Sequence, residues 1–405
     1  MAVVSESGSV SGECNPRFAD VREAFERNFA ERGEVGASVS LSVNGETMVD
    51  LWGGVADKET GASWDKDTVS IVFSCTKAAT AICAHILIDR GLLDLNAPVT
   101  KYWPEFGKHG KDKTTVAMML NHESALPALR EPVKPGGFLD WDYMIQRMED
   151  EEPFWEPGTR NGYHMVNFGW TVGELVRRVS GKSLGDFFRD EVAGPTGADF
   201  WIGIPDDFDR QIAPILVYEP KPDDQLTDFT TALVSDPTSI QHLSFLNNGG
   251  WNPNDPDAHK AMIGGAGGIS NARGQVAMYT PLAMNDGSLV SQDRVAHMRM
   301  VTTATHRDAT LLAPTRFGPG FMKSMDNRGQ PSGDQMSANI GEQAFGHVGA
   351  GGSIGFADPE CGLAFSYTMS QMGQGLLLNE RGQSLIDATY KALGYRTNIP
   401  GAWVR

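Results

Sequence analysis

Ser74-Cys75-Thr76-Lys77 marks the point at which the chain changes from an extended to a helical pattern. The apolar run before it, residues 69–73, predicts a strand, and the apolar run after it, residues 78–88, predicts a helix that ends near Arg90 and Gly91. A serine where a helix begins lies beside free backbone N–H groups and the positive end of the helix dipole, which together stabilise an anion. A lysine three residues later lies one turn along on the same face, so its amine can reach the serine oxygen.

This spacing offers a way to activate a serine without a histidine. Serine alone is a weak nucleophile and needs a proton acceptor beside it. Lys77 can be that acceptor if burial keeps its amine neutral part of the time. The helix that follows is apolar nearly all round, which predicts that Lys77 is buried. The stretch therefore indicates a serine nucleophile, Ser74, paired with a lysine base.

The same spacing occurs a second time, at Ser63-Trp64-Asp65-Lys66. A charged loop that begins at Gly61 surrounds this copy, and no apolar helix follows it. We therefore interpret Ser63 as a residue that caps local backbone N–H groups and Lys66 as a solvated side chain. Because the spacing alone identifies nothing, the interpretation of Ser74 needs support from other parts of the chain.

Composition and charge narrow the classes of function. The chain has 405 residues, of which 40% are hydrophobic and 21% charged, with a net charge of −17 and a pI of about 4.9. Nucleic acids and anionic membrane surfaces bind basic patches, so we expect neither as a partner. The expected partner is a small-molecule substrate, and composition leaves the oligomeric state open.

The N-terminus and the cysteines give expectations about compartment and cofactors. Residues 1–13 are polar and rich in Ser and Gly, without the basic and apolar regions of a signal peptide, and no apolar run is long enough to span a bilayer. The four cysteines show no paired spacing, which predicts reduced thiols in a cytoplasmic protein. Neither the cysteines nor the nine histidines show metal-ligand spacing, so we expect no metal and no other cofactor.

Strand patterns lie at both ends of the chain. An amphipathic helix over residues 17–31 precedes a hairpin with Asn44-Gly45 at its tip. A second hairpin is predicted around residues 358–361, and a last helix over residues 380–393. The middle of the chain is mostly helical, except for residues 128–160, whose many Pro and Gly predict a loop that forms a pocket wall or a lid.

This order predicts an α/β (α+β) fold with two lobes. One lobe, an antiparallel sheet flanked by helices, is expected to be built from residues 1–75 and 265–405. The other, mostly helical, is expected to be inserted at residues 76–264. The active site would then lie between the two lobes.

Two further stretches carry chemically useful side chains among small residues. Tyr163 follows the turn Pro157-Gly158-Thr159-Arg160-Asn161-Gly162. It is either an aromatic residue that fills space or a base whose hydroxyl is partly ionised by a neighbouring ammonium. Residues 346–352 contain only two large side chains, His347 and Val348. Such a bare strand edge either passes close to another backbone or lets a substrate carbonyl reach an N–H, as an oxyanion hole requires.

The order and spacing of these three stretches resemble the serine β-lactamase-related esterases, the family VIII carboxylesterases, which are relatives of class C β-lactamases. The resemblance covers roughly residues 20–395. It rests on five motifs in this order: Ser74-Cys75-Thr76-Lys77, Leu120–Pro127, Tyr163-His164, Gly264–Gly268, and His347-Val348-Gly349 where β-lactamases have Lys-Thr-Gly.

The resemblance implies an enzyme that cleaves short-chain carboxylic esters through an acyl-enzyme. Ser74 would be the nucleophile, with Tyr163 and Lys77 taking its proton and Tyr163 protonating the alcohol that leaves. The backbone N–H groups of Ser74 and Ala350 would hold the oxyanion, and water would then attack the acyl-enzyme without a metal or organic cofactor. Substrate contacts are expected from five residues: His122, Phe154, Trp155, His347 and Gly349.

Two positions depart from the β-lactamase pattern. Met165 stands where class C β-lactamases have the Asn of Tyr-x-Asn, and His347 replaces the Lys of Lys-Thr-Gly. Both lost groups serve β-lactam recognition and turnover in that family, so we expect esters to be preferred and any β-lactam hydrolysis to be slow. Transfer of the acyl group to a second alcohol is an open alternative, because relatives of this fold include acyltransferases.

Two other classes of function compete with this reading. An α/β-hydrolase needs Gly-x-Ser-x-Gly between a strand and a helix. The match at residues 181–185 follows a helix, and the match at residues 351–355 lies between strands, so neither has that context. A non-catalytic sensor on a penicillin-binding-protein fold is the other alternative. The joint presence of Ser74, Lys77 and Tyr163 favours the enzyme.

Overall fold

The computed structural model describes residues 10–405, apart from the side chain of Asp334. The prediction that the chain has no signal peptide rests on residues 1–13. Residues 1–9 of this stretch lie outside the described residues. The described strands are β1 (Val10–Cys14), β2 (Gly36–Val43), β3 (Glu46–Asp57), β4 (Ala62–Ser63), β5 (Val69–Ile71), β6 (Phe200–Ile202), β7 (Ile212–Ala213), β8 (Gly268–Ser270), β9 (Thr303–Thr305), β10 (Thr315–Gly318), β11 (Phe321–Met322), β12 (Phe345–Val348), β13 (Ile354–Asp358) and β14 (Leu363–Met369).

Helices separate and cover these strands. The described α-helices are α1 (Ala19–Glu31), α2 (Cys75–Asp89), α3 (Val116–Leu120), α4 (Trp141–Asp150), α5 (Phe168–Ser180), α6 (Leu184–Phe188), α7 (Gly194–Thr196), α8 (Asp228–Ser235), α9 (Ile240–Leu246), α10 (Pro256–Lys260), α11 (Ala272–Met284), α12 (Gln292–Met298) and α13 (Glu380–Ala392). Among residues 10–405, no helix has the length and apolar composition needed to cross a membrane.

The larger sheet has ten strands, and every pair in it is antiparallel. Its order is β1-β3-β2-β14-β13-β12-β11-β10-β9, with β4 paired to β3. Asn44 and Gly45 join β2 to β3, and both have positive φ (52° and 81°), as the predicted two-residue hairpin requires. An antiparallel sheet flanked by helices is the predicted fold class.

The alternation of side chains along β2 explains how helices cover the sheet. Ser38 and Ser42 point towards α11, where the Ser38 hydroxyl accepts the N–H of Ala272 and the Ser42 hydroxyl lies 2.9 Å from that of Thr280. Small serines let this helix approach the sheet closely. The next residue in the alternation, Leu41, faces the other side and is also fully buried, so both faces of the sheet belong to the core.

A second sheet carries the strand that leads to Ser74. Its four strands lie in the order β6-β8-β5-β7, with β5 parallel to β7 and antiparallel to β8. It therefore combines strands from both predicted lobes. The lobe boundaries at residues 75 and 265 stay a prediction.

The predicted loop over residues 128–160 is wrong in part, because α4 occupies its centre. Asp140 caps this helix by accepting the N–H of Tyr143 at 3.1 Å. Met144 and Met148 repeat at helical spacing and are buried. The Pro and Gly that predicted a loop lie on either side of the helix, where they end it rather than exclude it.

Candidate active site

A sharp turn between β5 and α2 presents Ser74. Phe73 has a φ of +44°, a left-handed conformation that a bulky residue rarely adopts and that costs about 1–3 kcal/mol. Thr76 holds the turn, because its hydroxyl donates to the carbonyl of Phe73 at 2.5 Å and accepts the N–H of Gly268 at 2.8 Å. Ser74 precedes α2 and caps none of its N–H groups, and its side chain remains free for other contacts.

Lys77 lies one turn into α2 and is fully buried. Its Nζ is 2.9 Å from Ser74 Oγ, 2.6 Å from the carbonyl oxygen of Met165 and 2.7 Å from that of Gly265. The two carbonyl oxygens can only accept hydrogen bonds, whereas the serine hydroxyl can donate or accept. An ammonium can satisfy all three contacts by donating three N–H groups, and a neutral amine can do so by donating two to the carbonyls and accepting the Ser74 hydroxyl.

Electrostatics favour this neutral form. Burial, with no carboxylate beside the amine, lowers the pKa of Lys77 well below its ordinary value. The geometry fits both forms and burial favours the neutral one, which is a proton acceptor 2.9 Å from a serine hydroxyl. That arrangement can deprotonate Ser74 during nucleophilic attack.

Tyr163 forms the opposite wall of the site. The Tyr163 ring stacks on the Phe317 ring, with 5.9 Å between the ring centroids. Lys77 Nζ lies 4.8 Å from the centroid of the Tyr163 ring. The backbone N–H of Tyr163 donates to both carboxylate oxygens of Asp308, at 3.0 and 3.1 Å. The structure thus brings together Ser74, Lys77 and Tyr163, which are far apart in the sequence.

The predicted ionisation of Tyr163 is wrong. Burial raises the pKa of its hydroxyl, and a hydrogen bond with Ser74 opposes this only in part. The sequence argument assumed that an ammonium at Lys77 would lower that pKa, but a buried neutral amine supplies no such charge. A neutral Tyr163 hydroxyl can donate a proton.

Gly349 brings the end of β12 against the turn that carries Ser74. A Cβ on this residue would lie 2.3 Å from the carbonyl oxygen of Val72 and 2.2 Å from Ser353 Oγ, so only glycine fits. Its own N–H donates to the carbonyl of Ser353 at 2.7 Å, which leaves it no free donor for a substrate.

The two amides predicted for an oxyanion hole lie on these adjoining segments. Ala350 packs in the same apolar cluster as Phe73, the residue before Ser74. Within residues 10–405, neither the N–H of Ser74 nor that of Ala350 has a hydrogen-bond acceptor. Unpaired amides at such a site can bind the negative charge that develops on an ester oxygen.

His347 lies in β12, 5.9 Å from Tyr163 between ring centroids. Its Nδ1 is 2.7 Å from the carbonyl oxygen of Val348, so Nδ1 carries the hydrogen and Nε2 is a lone pair. Burial lowers the pKa of His347 to about 3, which keeps the ring neutral. The side chain at this position is therefore an uncharged acceptor rather than a cation.

Three other residues were expected to contact substrate. His122 is 1% exposed and packs behind the Tyr163 ring, at 4.9 Å between centroids, so we correct its predicted role from substrate contact to support of Tyr163. Trp155 lies against Gly162, immediately before Tyr163, and borders the site. Phe154 lies under the Arg130 guanidinium at 3.8 Å, and no hydrogen bond or ring contact among the described residues joins it to the serine.

Sequence reasoning missed several groups that build this site. Asp308 and Phe317 hold Tyr163, and the carbonyls of Met165 and Gly265 hold Lys77. Backbone acceptors leave no signature in side-chain patterns, and only the Gly-rich run 264–268 signalled an unusual backbone. In the part of the chain that the structure describes, no cluster of three His, Cys, Asp or Glu side chains could hold a metal ion.

Comparison with known proteins finds the same architecture. The sequence model of the β-lactamase family matches residues 21–388. The chain is 32% identical to the esterase/β-lactamase LipL of Mycobacterium tuberculosis over 390 residues, which cover 92% of this chain and 85% of LipL.

Solved structures of related proteins have the same fold as this chain. The crystal structure of a family VIII carboxylesterase is 36% identical, with a TM-score of 0.81 over 95% of this chain and 100% of that one. A penicillin-binding protein homologue from Caulobacter crescentus is 31% identical, with a TM-score of 0.83 over the same shares of the two chains.

Proposed function

The chain belongs to the β-lactamase family and is a serine hydrolase of that family, and we propose that it hydrolyses carboxylic esters with short acyl chains. The observation that carries this proposal is the buried Lys77 amine, which two backbone carbonyls hold 2.9 Å from the hydroxyl of Ser74. The esterase and carboxylesterase names of the relatives support the choice of ester as the substrate.

The first half of the proposed reaction forms an acyl-enzyme. Ser74 Oγ attacks the ester carbonyl carbon while its proton passes to Lys77 Nζ. The N–H groups of Ser74 and Ala350 bind the oxyanion. When the tetrahedral intermediate collapses, the C–O bond to the alcohol breaks and Tyr163 gives its proton to the alcohol oxygen. The Lys77 ammonium then returns a proton to Tyr163, and both residues are neutral again.

The second half releases the acid. Water enters where the alcohol left and attacks the acyl carbon, with its proton taken by the same residues in reverse. The oxyanion amides act again, and Ser74 regains its hydrogen. All the groups needed for the two halves belong to the chain itself.

Intact-mass spectrometry tests this proposal directly. The protein is incubated with a panel of short-chain activated esters, and the expected result is a mass increase equal to one acyl group on Ser74 that decays with time. Ser74→Ala should show no adduct, whereas Ser183→Ala should behave as wild type, because Ser183 caps α6 by accepting the N–H of Asp186. An adduct that persists in Ser74→Ala would contradict the proposal.

β-Lactam hydrolysis is a second candidate, favoured by the name of the LipL relative. The neutral His347 offers no cation for the carboxylate that β-lactams carry, so we expect their adducts to form at least about tenfold more slowly than those of esters. The same mass measurement with a penicillin decides this. Faster acylation by the penicillin than by any ester would reverse the order of the two activities.

A further inference from the structure

Asp308 is a fully buried carboxylate with no cation beside it. Its oxygens accept four donors: the N–H of Tyr163 at 3.0 and 3.1 Å, that of Thr310 at 2.8 Å, that of Leu311 at 2.9 Å and the hydroxyl of Thr315 at 3.4 Å. Within residues 10–405, no Lys, Arg or His forms an ion pair with it. A buried charge of this kind is unfavourable unless hydrogen bonds replace its solvation, as they do here.

The donors around Asp308 indicate that it is ionised. The three backbone groups that face it are N–H donors, which favour the charged form, and only the Thr315 hydroxyl, 3.4 Å away, could accept a hydrogen from a protonated carboxyl. Burial raises the pKa of Asp308, and the N–H bonds from Tyr163, Leu311 and Thr310 act against that rise. The result is a fixed negative charge held by neutral donors.

This charge is attached to the residue that donates a proton in the proposed reaction. Besides the two bonds to the Tyr163 N–H, the loop of Asp308 is tied to the same segment by the N–H of Ala309, which donates to the carbonyl of Asn161 at 3.1 Å. Phe317 fixes the plane of the Tyr163 ring from one side. The backbone anchor and the ring stack together leave the hydroxyl one place to point.

Asp308 also differs from the other titratable groups that face Tyr163. The amine and imidazoles among them are neutral, because burial lowers the pKa values of Lys77, His122 and His347. Burial raises the pKa of the Cys75 thiol to about 12, so it is neutral as well. Burial is the main cause of the raised pKa of Tyr163, and the charge of Asp308 adds to it in the same direction.

We propose that Asp308 is a positioning residue for ester hydrolysis, which anchors the backbone of Tyr163 so that its hydroxyl is held where the alcohol leaves. The inference rests on the proposed function. It assigns Asp308 to one step, in which the Tyr163 O–H bond breaks, the O–H bond of the alcohol forms and the ester C–O bond breaks. Asp308 itself gains and loses no proton.

This role predicts a dependence on the leaving group. An alkyl alcohol needs a proton in order to leave, whereas 4-nitrophenolate is stable without one. The test measures kcat/KM, which reports acylation, for an ethyl ester and a 4-nitrophenyl ester of the same acid. In Asp308→Asn we expect kcat/KM for the ethyl ester to fall about tenfold more than kcat/KM for the nitrophenyl ester. This factor is part of the roughly 10²–10⁴-fold rate enhancement that a general acid contributes.

Two comparisons separate this role from a structural one. Tyr163→Phe should show the same preference for the nitrophenyl ester. Asp358→Asn is the matched control, because Asp358 is also fully buried, lies at the end of β13 and accepts the hydroxyl of Tyr390 at 2.8 Å. It should lower stability and leave the ratio of the two esters unchanged.

Equal losses on the two esters in Asp308→Asn would overturn the inference and leave the proposed function intact. If the wild-type protein cleaves neither ester, the proposed function itself fails. If Asp308→Asn does not fold, Thr315→Val replaces it, since that change removes one donor from the carboxylate. It should shift the ester ratio in the same direction by roughly threefold, and an unchanged ratio would overturn the inference.

Discussion

Two segments of this chain, residues 63–66 and residues 74–77, share the spacing Ser-x-x-Lys. They differ in the secondary structure around the serine and in the burial of the lysine. Ser63 ends the two-residue strand β4 and is exposed, as is Lys66. Ser74 ends a left-handed turn before a 15-residue helix, and Lys77 is fully buried in that helix. The two copies lie 11 residues apart in the same protein.

The difference between them is the set of acceptors around the lysine. Lys66 is exposed, and its contact with Arg273 uses the backbone oxygen rather than the amine. Lys77 is buried against two backbone carbonyls and one hydroxyl, and no carboxylate of residues 10–405 forms an ion pair with it. Burial and two directed acceptors, rather than the spacing, make a lysine into a base.

The largest expected effect is the difference in ester hydrolysis between variants of the two serines. Ser74→Ala should lower kcat/KM for a short-chain ester by at least about a thousandfold, because it removes the atom that forms the acyl-enzyme. Ser63→Ala should leave it within twofold, about the scatter expected for a surface change. Circular dichroism checks that both variants fold. Comparable losses in the two variants would remove the distinction drawn here.

The next effect concerns the lysines and Tyr163. Lys77→Met and Tyr163→Phe should each cost at least about a hundredfold in kcat/KM for an alkyl ester, and the double variant should be hardly worse than either, because the two residues pass one proton. Lys77→Arg should not restore activity, since a guanidinium stays charged at neutral pH.

Lys66→Met and Lys66→Arg are the matched controls for these variants, and both should behave as wild type. Steady-state kinetics on one ester measures the whole set. A near-wild-type Lys77→Arg would show that Lys77 acts as a charge and not as a base.

A third effect links protonation to stability. The folded-state pKa of Lys77 lies below its unfolded value of about 10.4, so between these two values the unfolded chain holds a proton that the folded chain lacks. Wild-type stability relative to Lys77→Met should therefore rise with pH across this window, by up to about 1.4 kcal/mol per pH unit. Urea unfolding at several pH values from 6 to 10 measures it, and a difference between wild type and Lys77→Met that does not change with pH would contradict the expectation.

The smallest effect concerns the threonines that hold the two segments. Thr76→Val removes the hydroxyl that binds Phe73 and Gly268, and Thr68→Val removes the hydroxyl that binds Asp65 and Gln211. Each should lower the free energy of unfolding by about 1–3 kcal/mol.

Only Thr76→Val should also lower ester hydrolysis, by roughly fivefold, because the turn at Phe73 positions the nucleophile. Thermal unfolding and kcat/KM on the same samples separate the two effects. Unchanged hydrolysis in a folded Thr76→Val would mean that the turn keeps its geometry without this hydroxyl.

Much of the fold could be predicted because its signals are local. The hairpin at Asn44-Gly45 and the helices α1, α2 and α13 follow from turn residues and apolar periodicity within a few residues of each other. The helix α4 was missed although Trp141, Met144, Ile145 and Met148 have helical spacing, because the Pro and Gly on either side outweighed a periodic pattern of only 10 residues, less than three turns.

The site was predicted less completely, for reasons of distance and charge. Asp308 binds a backbone N–H 145 residues away, a contact that depends on tertiary packing and leaves no pattern in the sequence. The predicted direction of the Tyr163 pKa shift was wrong. The sequence indicates that Lys77 lies near Tyr163, but it does not indicate that burial favours a neutral amine. His122 was placed against the substrate because it lies in a motif, whereas its ring is enclosed by aromatic neighbours.

The contacts of Lys77 also bear on how the protein acquires reactivity during synthesis. Its Nζ binds carbonyls 88 and 188 residues further along the chain, and Ala350 follows later still. A ribosome-bound chain that already displays Ser74 thus carries an ordinary alcohol, and so does a chain clipped before Gly265. A reagent that acylates Ser74 would therefore label only the complete, folded chains in a mixture of translation products. Labelling of this serine would report that folding is complete.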